Sequence, residues 1–195
     1  MIGQQQKDQA EKWFKDLRDK ICKEFEILEE DHLKLTPKSD MTAKKFERKS
    51  TIRETDDKED GGGGVMATLK GGRIFEKVGV NVSAVYGNLA PGAQKSITAR
   101  KAIPDLKDDP RFWASGISLV AHMRNPHTPA IHLNTRMFWT PHAWWFGGGT
   151  DLNPSIQNDE DTNFFHQTLK KKCDAHNKTS VSYTHLRAHE TSLHL

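Results

Sequence analysis

The chain has 195 residues, of which 35% are hydrophobic and 28% charged, and its formal net charge is +3. This composition is typical of a hydrophilic globular protein, and the interleaving of acidic and basic residues argues against a nucleic-acid-binding surface. No apolar run approaches the ~18 residues that a membrane span needs, and no apolar signal segment opens the chain, so we expect a cytoplasmic protein.

The first predicted element is an amphipathic helix from Gln4 to Glu30, with apolar residues at three- and four-residue spacing. These residues are Trp13, Leu17, Ile21, Phe25 and Leu28. The polar face carries both signs of charge, which favours packing on a core over binding to a membrane or a partner. Cys22 in this helix and Cys173 further on have no paired spacing, so we expect small buried thiols in a reducing compartment.

The segment that follows, Asp31 to Asp60, is highly charged and lacks sustained periodicity. It is predicted to form an exposed connection or a partly mobile loop. This charged segment ends at the glycine tract Gly61 to Gly64. Because no lysine–serine pair follows the glycines, a flexible linker or close backbone packing is favoured over a phosphate-binding loop.

From Val65 onward the sequence pattern is typical of β-strands. Residues from Val65 to Tyr86 predict a hairpin with a two-residue turn at Gly71 and Gly72, and then a further strand. Asn88 to Pro110 holds three prolines around a helix-forming stretch. It predicts a crossover made of loop and short helix.

Two alternating runs come next and hold most of the residues with chemical capability. Ser118 and His122 share one side of the first run, and His132, Asn134 and Arg136 share one side of the second, whereas the opposite sides are apolar. The intervening RNPHTP favours a turn, so an antiparallel hairpin is predicted. The five polar groups then converge on one surface backed by a core face.

A third apolar run, Trp144 to Phe146, ends in three glycines followed by Asp151, where a ligand can approach the backbone closely. Trp144 and Trp145 face opposite sides of a strand, which favours core packing over a stacking platform. A second amphipathic helix is predicted from Asp159 to His176, with core contacts from Phe164, Phe165 and Leu169. Helices at both ends of a set of antiparallel hairpins predict an α+β fold, a large sheet flanked by helices.

Two motifs in this region, SLVAHMRNPHTPAIHLNTR and WWFGGGTDLNP, resemble the signature of oxygen-dependent coproporphyrinogen III oxidases. GGRIFEKVGVNVSAVYG and DEDTNFFHQTLKKKCDAH resemble further segments of that family, and the resemblance covers Lys12 to Asn177. It implies a partial family domain at 1–177, incomplete at its C-terminus, and an unrelated, adapter-like tail at 178–195. The family fold, a broad antiparallel sheet flanked by helices, agrees with the predicted α+β class.

The resemblance implies oxidative decarboxylation of coproporphyrinogen III. Two propionates become vinyl groups with consumption of O2, which gives protoporphyrinogen IX in haem biosynthesis. O2 is then a co-substrate, and no organic cofactor is needed because reduced pyrroles react with oxygen themselves. The family forms homodimers through a segment that has no counterpart in this sequence.

The resemblance also implies roles for single residues. His132 falls on the proton donor, Asp151 is expected to accept pyrrole N–H groups and stabilise developing positive charge, and Arg136 is expected to clamp a carboxylate. The predicted substrate-binding residues are Ser118, Asn134, Thr135 and Arg136. From the residues alone, His132 and Ser118 can equally be structural hydrogen-bonding residues, and Arg136 and Asp151 can form a structural ion pair.

A divalent metal is a further alternative, because His122, His132 and His166 fall on metal-ligand positions of some bacterial relatives. Their spacing lacks the compactness of an HExxH motif, and the fourth ligand of those relatives has no counterpart here, so hydrogen-bonding roles are favoured for His122 and His166. The chain also departs from the family pattern. It has Met123 in place of proline, Asn153 in place of threonine, and Ser155 and Ile156 in place of aromatic residues.

Two other hypotheses stay open beside the enzyme. The chain as written can be an inactive fragment that only binds a tetrapyrrole or does not fold stably, because an open sheet exposes apolar surface and an unpaired edge. The weaker one is a histidine-metal oxygenase or hydrolase.

Overall fold

The computed structural model describes residues 3–35, 40–55, 58–101 and 106–176, and the predicted tail at 178–195 lies outside these ranges. In chain order the elements within them are α1 (Gln4–Leu35), β1 (Glu47–Glu54), β2 (Asp60–Lys70), β3 (Phe75–Asn88), α2 (Pro91–Lys101), β4 (Arg111–Met123), β5 (Ala130–Trp139), β6 (Trp144–Asn153) and α3 (Asp159–His176). The strands form a single antiparallel sheet in the order β1-β2-β3-β4-β5-β6. The predicted α+β class is therefore confirmed.

Helix α1 covers one face of this sheet by packing against β3 and β4. Side chains that alternate along the central strands fill the space beneath the helix, because successive residues of a strand point to opposite faces. The buried strand residues include Leu69, Val78, Val80, Ile117, Leu119 and Met137. Each large apolar side chain buried in this way stabilises the fold by about 1.5–3 kcal/mol. The other face of the sheet is not covered by α1.

The α1 prediction is confirmed as a helix, and Leu17, Ile21 and Phe25 of the predicted apolar face are partly buried against the core, but the fully buried positions lie beside them. Phe14, Cys22 and Glu29 are buried, whereas Trp13 and Leu28 of the predicted apolar face are about half exposed. The buried stripe is therefore turned by about one residue. Burial also raises the pKa of the Cys22 thiol to about 11. The expectation of a small buried thiol is confirmed for Cys22, while Cys173 is only partly buried.

Glu29 is a polar residue on the buried side of α1, and its hydrogen bonds account for this position. Its fully buried carboxylate accepts hydrogen bonds from the backbone N–H groups of Arg73 (2.6 Å), Ile74 (2.9 Å) and Phe75 (3.0 Å). These groups belong to the connection between β2 and β3, where the predicted two-residue glycine turn is wrong. The connection runs from Gly71 to Ile74, and Glu29 satisfies the amides that a tight two-residue turn would not have exposed.

The prediction of an exposed connection from Asp31 to Asp60 is wrong in part. Helix α1 continues to Leu35, and residues 47–54 form the edge strand β1, in which every residue is exposed. The glycine tract that follows lies inside β2. A Cβ atom on Gly63 would lie 2.2 Å from the carbonyl oxygen of Thr51, so close backbone packing is the alternative that is confirmed.

Helix α3 has the predicted bounds, but its predicted core contacts are wrong. No residue of α3 is buried, and Phe164 is 72% exposed. The amphipathic pattern predicted the helix correctly, yet the described part of the chain provides no surface that covers its apolar side. None of the described helices combines the length and apolar character that a membrane crossing requires.

Candidate active site

The face of the sheet opposite α1 carries a polar patch built by β4, β5 and β6. Antiparallel pairing places Ser118 opposite Asn134 and His132 opposite Asp151. Arg136 lies two residues beyond Asn134 and therefore on the same face. The structure thus brings together Ser118, His122, His132, Asn134 and Arg136, which the alternation of the sequence predicted to share one surface, and it adds Asp151 from β6.

His132 and Asp151 form the best-defined contact of the patch. The Nδ1 atom of His132 lies 2.8 Å from Oδ1 of Asp151, and the two side chains are 44% and 48% exposed. The hydroxyl of Thr150 donates to the carbonyl oxygen of His132 (2.7 Å) and so anchors the backbone beneath the imidazole. With Nδ1–H donated to the carboxylate, Nε2 is the ring nitrogen left to exchange a proton with a ligand.

Arg136 and Ser118 are held much less tightly. A guanidinium nitrogen of Arg136 is 3.5 Å from the Asn134 amide oxygen, at the outer limit of a hydrogen bond. Among the described residues no carboxylate lies within ion-pair distance of Arg136, so the alternative of a structural Arg136–Asp151 pair is not realised. Both Arg136 and Ser118 are exposed, and their donors face the open side of the sheet.

Thr135 is the predicted binding residue that does not join the patch. It pairs with Ile117 and Gly148 and lies between Asn134 and Arg136, so its side chain points to the α1 face of the sheet. Thr135 nevertheless lines the cavity beside Ser118, Asn134 and Arg136, so its part in substrate binding stays a prediction. Adjacent residues of a strand cannot contribute side chains to the same surface.

The three predicted metal-ligand histidines are not assembled. His122 and His132 are neighbours, with ring centroids 6.2 Å apart. His166 lies on α3, where its ring contacts Phe165 instead. Within residues 3–35, 40–55, 58–101 and 106–176, no group of three or more His, Cys, Asp or Glu side chains could hold a metal ion. The described donors do not fit a metal centre, because the position of α3 separates His166 from the sheet.

Asn153 and a row of aromatic rings belong to the same face but were not predicted as site residues. Trp144 and Trp145 point to opposite faces, as expected, and Trp145 stacks on Phe138 (4.9 Å), which stacks on Phe112 (5.7 Å). Asn153 lies two residues after Asp151 and its amide contacts that carboxylate (2.6 Å). The period-two rule that grouped the polar residues would also have placed Asn153 on this face.

The glycines of β6 differ in what surrounds them. A Cβ atom on Gly148 would lie 2.3 Å from the carbonyl oxygen of Asn134, whereas one on Gly149 would meet no atom within 4 Å. Gly149 pairs with Asn134 and lies on the polar face. The expectation that a ligand can approach the backbone closely here agrees with the open space at Gly149.

The polar patch is a shallow depression and not a deep pocket. The cavity beside Ser118, Asn134 and Arg136 has a volume of about 200 Å³. A larger cavity, about 630 Å³, lies at the end of the sheet near Lys7 and Trp139 and contains none of the predicted site residues. The chemistry of the side chains, and not cavity size, therefore identifies the candidate site.

Comparison with known proteins identifies sequence relatives of this chain. A family model described as coproporphyrinogen III oxidase matches residues 9–190. The oxygen-dependent coproporphyrinogen-III oxidase of Rickettsia felis is 42% identical over 173 residues, which are 89% of this chain and 56% of the relative. Relatives of the same name from Rickettsia bellii and Rickettsia akari are each 40% identical, over 89% and 86% of this chain and 56% and 54% of their own lengths. The chain thus spans a little over half of these relatives.

Proposed function

The chain belongs to the coproporphyrinogen III oxidase family, and from this membership we propose that it carries the proton-transfer and carboxylate-binding face of an oxygen-dependent coproporphyrinogen III oxidase. The observation that supports the proposal is the His132–Asp151 pair on one open face with Arg136, which has no carboxylate partner among the described residues. Coproporphyrinogen III presents negative propionates and pyrrole N–H donors. The patch offers a matching guanidinium donor and carboxylate acceptor within one surface.

In the proposed reaction each of the two reacting propionates loses CO2 and becomes a vinyl group. The side chain gives up two electrons, O2 accepts them, and O2 together with two protons gives hydrogen peroxide. The substrate carbon next to the pyrrole loses a proton in the same conversion. A positioned acid or base within hydrogen-bond reach of that carbon typically contributes 10²–10⁴-fold to such a step, as a rough range.

His132 is proposed to be the group that exchanges this proton. Asp151 accepts from Nδ1, which holds the ring and leaves Nε2 free for the substrate. The second carboxylate oxygen of Asp151, Oδ2, has no hydrogen bond to the described residues. It is proposed to accept a pyrrole N–H and to stabilise the positive charge that develops when the electron-rich pyrrole reacts with oxygen.

Arg136, Ser118 and Asn134 are proposed to bind and orient the substrate. A guanidinium binds a carboxylate through two parallel hydrogen bonds, and Arg136 has no competing acidic partner in the described part of the chain. Ser118 and Asn134 lie opposite each other on β4 and β5 and offer neutral donors beside it. These three residues provide contacts along one edge of a macrocycle that carries several propionates.

The substrates, the compartment and the oligomeric state are also proposals. Coproporphyrinogen III and O2 are the proposed substrates, and the cytoplasm is the proposed compartment, supported by the free thiols of Cys22 and Cys173. A homodimer is proposed from family membership alone. The alternative of an inactive fragment is favoured by one observation, the shallow and uncovered polar face.

Aerobic turnover tests the proposal directly. The purified chain is incubated with coproporphyrinogen III, and protoporphyrinogen IX is measured after its oxidation to the fluorescent porphyrin, with and without a chelator. Product that persists with chelator supports the proposed enzyme, and product that requires added metal supports the histidine-metal alternative. Tetrapyrrole binding without product supports the fragment.

Arg136→Lys is expected to raise KM for coproporphyrinogen III by roughly 10-fold and to lower kcat much less. Lysine keeps the positive charge but loses the two-pronged geometry that holds a carboxylate. Steady-state kinetics measure both constants. Arg48→Lys, an exposed arginine on β1 that pairs with Asp19 (3.0 Å), is the matched control and should leave both constants unchanged. An unchanged KM in Arg136→Lys would exclude Arg136 as the carboxylate clamp.

Gly149→Leu is expected to raise KM by about 10-fold without lowering stability. The new side chain fills the open space beside Asn134 on the substrate face, and no atom of the protein is close enough to clash with its Cβ. The control is Gly148→Ala, which should lower the melting temperature because its Cβ meets the β5 backbone. Normal KM in Gly149→Leu would place the substrate elsewhere.

A further inference from the structure

We propose that Asn153 is a positioning residue that holds the Asp151 carboxylate against Nδ1 of His132, an inference that rests on the proposed function of this pair. Asn153 is the last residue of β6, two positions after Asp151, so both side chains stand on the polar face. Nothing in its chemistry lets it take the proton itself. Its effect is transmitted through Asp151 to the imidazole.

The geometry is a small triangle of polar atoms. The amide nitrogen of Asn153, Nδ2, lies 2.6 Å from Oδ1 of Asp151 and 3.1 Å from Nδ1 of His132, while Nδ1 and Oδ1 are 2.8 Å apart. Oδ1 can accept from both nitrogen atoms, whereas the 3.1 Å contact between the two nitrogens is not a hydrogen bond when Nδ1 carries the proton. One carboxylate oxygen is therefore shared between two nitrogen atoms.

The donor and acceptor properties of the three groups determine the orientation of the Asn153 amide and the position of the proton on His132. If the Asn153 amide were reversed, its oxygen would face the carboxylate oxygen at 2.6 Å, and two acceptors would repel each other. With Nδ2 facing Asp151, both Asn153 and the Nδ1–H of His132 donate to Oδ1. This arrangement favours the form of neutral His132 in which the proton is on Nδ1 and the lone pair is on Nε2.

Asn153 is needed as a third residue because His132 and Asp151 are both exposed to solvent. His132 and Asp151 are about half exposed, so water competes for the carboxylate and can draw it away from the ring. A donor from the same strand, at fixed spacing from Asp151, restricts the carboxylate to the orientation that faces Nδ1. The neutral histidine side chain in water prefers the proton on Nε2, so the pair needs this restriction to keep the lone pair of Nε2 available.

The residue type is a feature of this chain. The family motif that β6 resembles has threonine at the position of Asn153. A threonine hydroxyl sits closer to the backbone and offers one hydrogen, whereas the asparagine amide extends further and offers two. Asn153→Thr therefore tests the reach of the side chain, and Asn153→Ala removes the donor altogether.

The test uses the complete 195-residue chain labelled with ¹⁵N-histidine, and it has two readouts. Two-bond ¹H–¹⁵N correlation spectra report which ring nitrogen of neutral His132 carries the proton, and steady-state kinetics report kcat and KM. Asn153→Ala is expected to shift His132 toward the Nε2–H form and to lower kcat about 5-fold, the effect of one neutral hydrogen bond, with KM changed less than about 2-fold. Asn153→Thr should fall between the two.

Asn163→Ala, an exposed asparagine on α3, is the matched control and should leave both readouts unchanged. An Nδ1–H population in Asn153→Ala equal to that of the unmodified chain overturns the inference, as does a shifted population with unchanged kcat in an active protein. Failure of the proposed function has a different signature, since the unmodified chain would then form no product. In that case the tautomer shift alone supports or overturns the positioning role.

Discussion

Replacing His132 by alanine is expected to lower turnover of coproporphyrinogen III by ~10²-fold or more. The substitution removes the ring nitrogen that is proposed to exchange the substrate proton, while the apolar face of β5 and its pairing with β4 and β6 stay intact. The measurement is kcat for formation of protoporphyrinogen IX, accompanied by a melting curve. KM should change little, because the proposed binding residues Arg136, Ser118 and Asn134 are retained.

His127→Ala is the matched control for this variant. His127 is exposed in the loop between β4 and β5, and its backbone N–H is bonded to Asn125 (3.0 Å). Removal of this imidazole should leave turnover within about 2-fold, a small change on the scale at which surface substitutions act. Near-normal turnover in His132→Ala would remove His132 from the mechanism.

Asp151→Ala should lower turnover to a similar extent, and the double variant decides whether the two residues act as one unit. Asp151 contacts Nδ1 of the His132 ring and is also proposed to face the substrate. Groups that act together show strong non-additivity, so His132→Ala combined with Asp151→Ala should be little worse than either single variant. Losses that multiply would show that the pair makes two independent contributions.

The largest expected effect on stability is that of Glu29→Ala, which should lower the free energy of unfolding by about 3–5 kcal/mol. The carboxylate is fully buried and accepts three backbone N–H groups of the β2–β3 connection. Its removal leaves these amides without a partner beneath α1, and a buried donor without an acceptor costs about 1–3 kcal/mol. Urea unfolding followed by circular dichroism measures the change.

Two further variants test whether the loss of stability is specific to the Glu29 carboxylate. Glu30→Ala removes the next side chain along α1, which is about half exposed and 3.9 Å from Lys45, and should change stability by less than about 0.5 kcal/mol. Glu29→Gln keeps one acceptor oxygen but turns an N–H2 group toward other donors, so an intermediate loss is expected. A loss below about 1 kcal/mol in Glu29→Ala would contradict the role of Glu29 as the anchor of the turn.

The sequence predicted the parts of the molecule that depend on local periodicity. The alternation along β4 and β5 predicted both the polar face and the core beneath it, because side-chain direction in a strand depends only on parity. The bounds of α3 were also predicted from its own pattern. The same parity rule places the Thr135 side chain on the opposite face of the sheet from Ser118, Asn134 and Arg136, although the predicted substrate-binding set included it.

What the sequence did not predict depends on contacts between distant segments. The inward position of Glu29 is determined by amides at residues 73–75, which no periodicity in α1 can indicate. Strand β1 has no alternating pattern because both of its faces are exposed. His166 failed to join His122 and His132 because the packing of a helix beside a sheet is a tertiary property.

The order of the sheet has a consequence for how the polar face is made. Each strand pairs with the strand synthesised just before it, so β4, β5 and β6 can close as successive hairpins as the chain leaves the ribosome. Short connections keep the entropic cost of each closure small, and contacts of this kind form rapidly. Ser118, His132 and Asp151 can therefore come together during translation, on an apolar underside that α1, made earlier, is ready to seal.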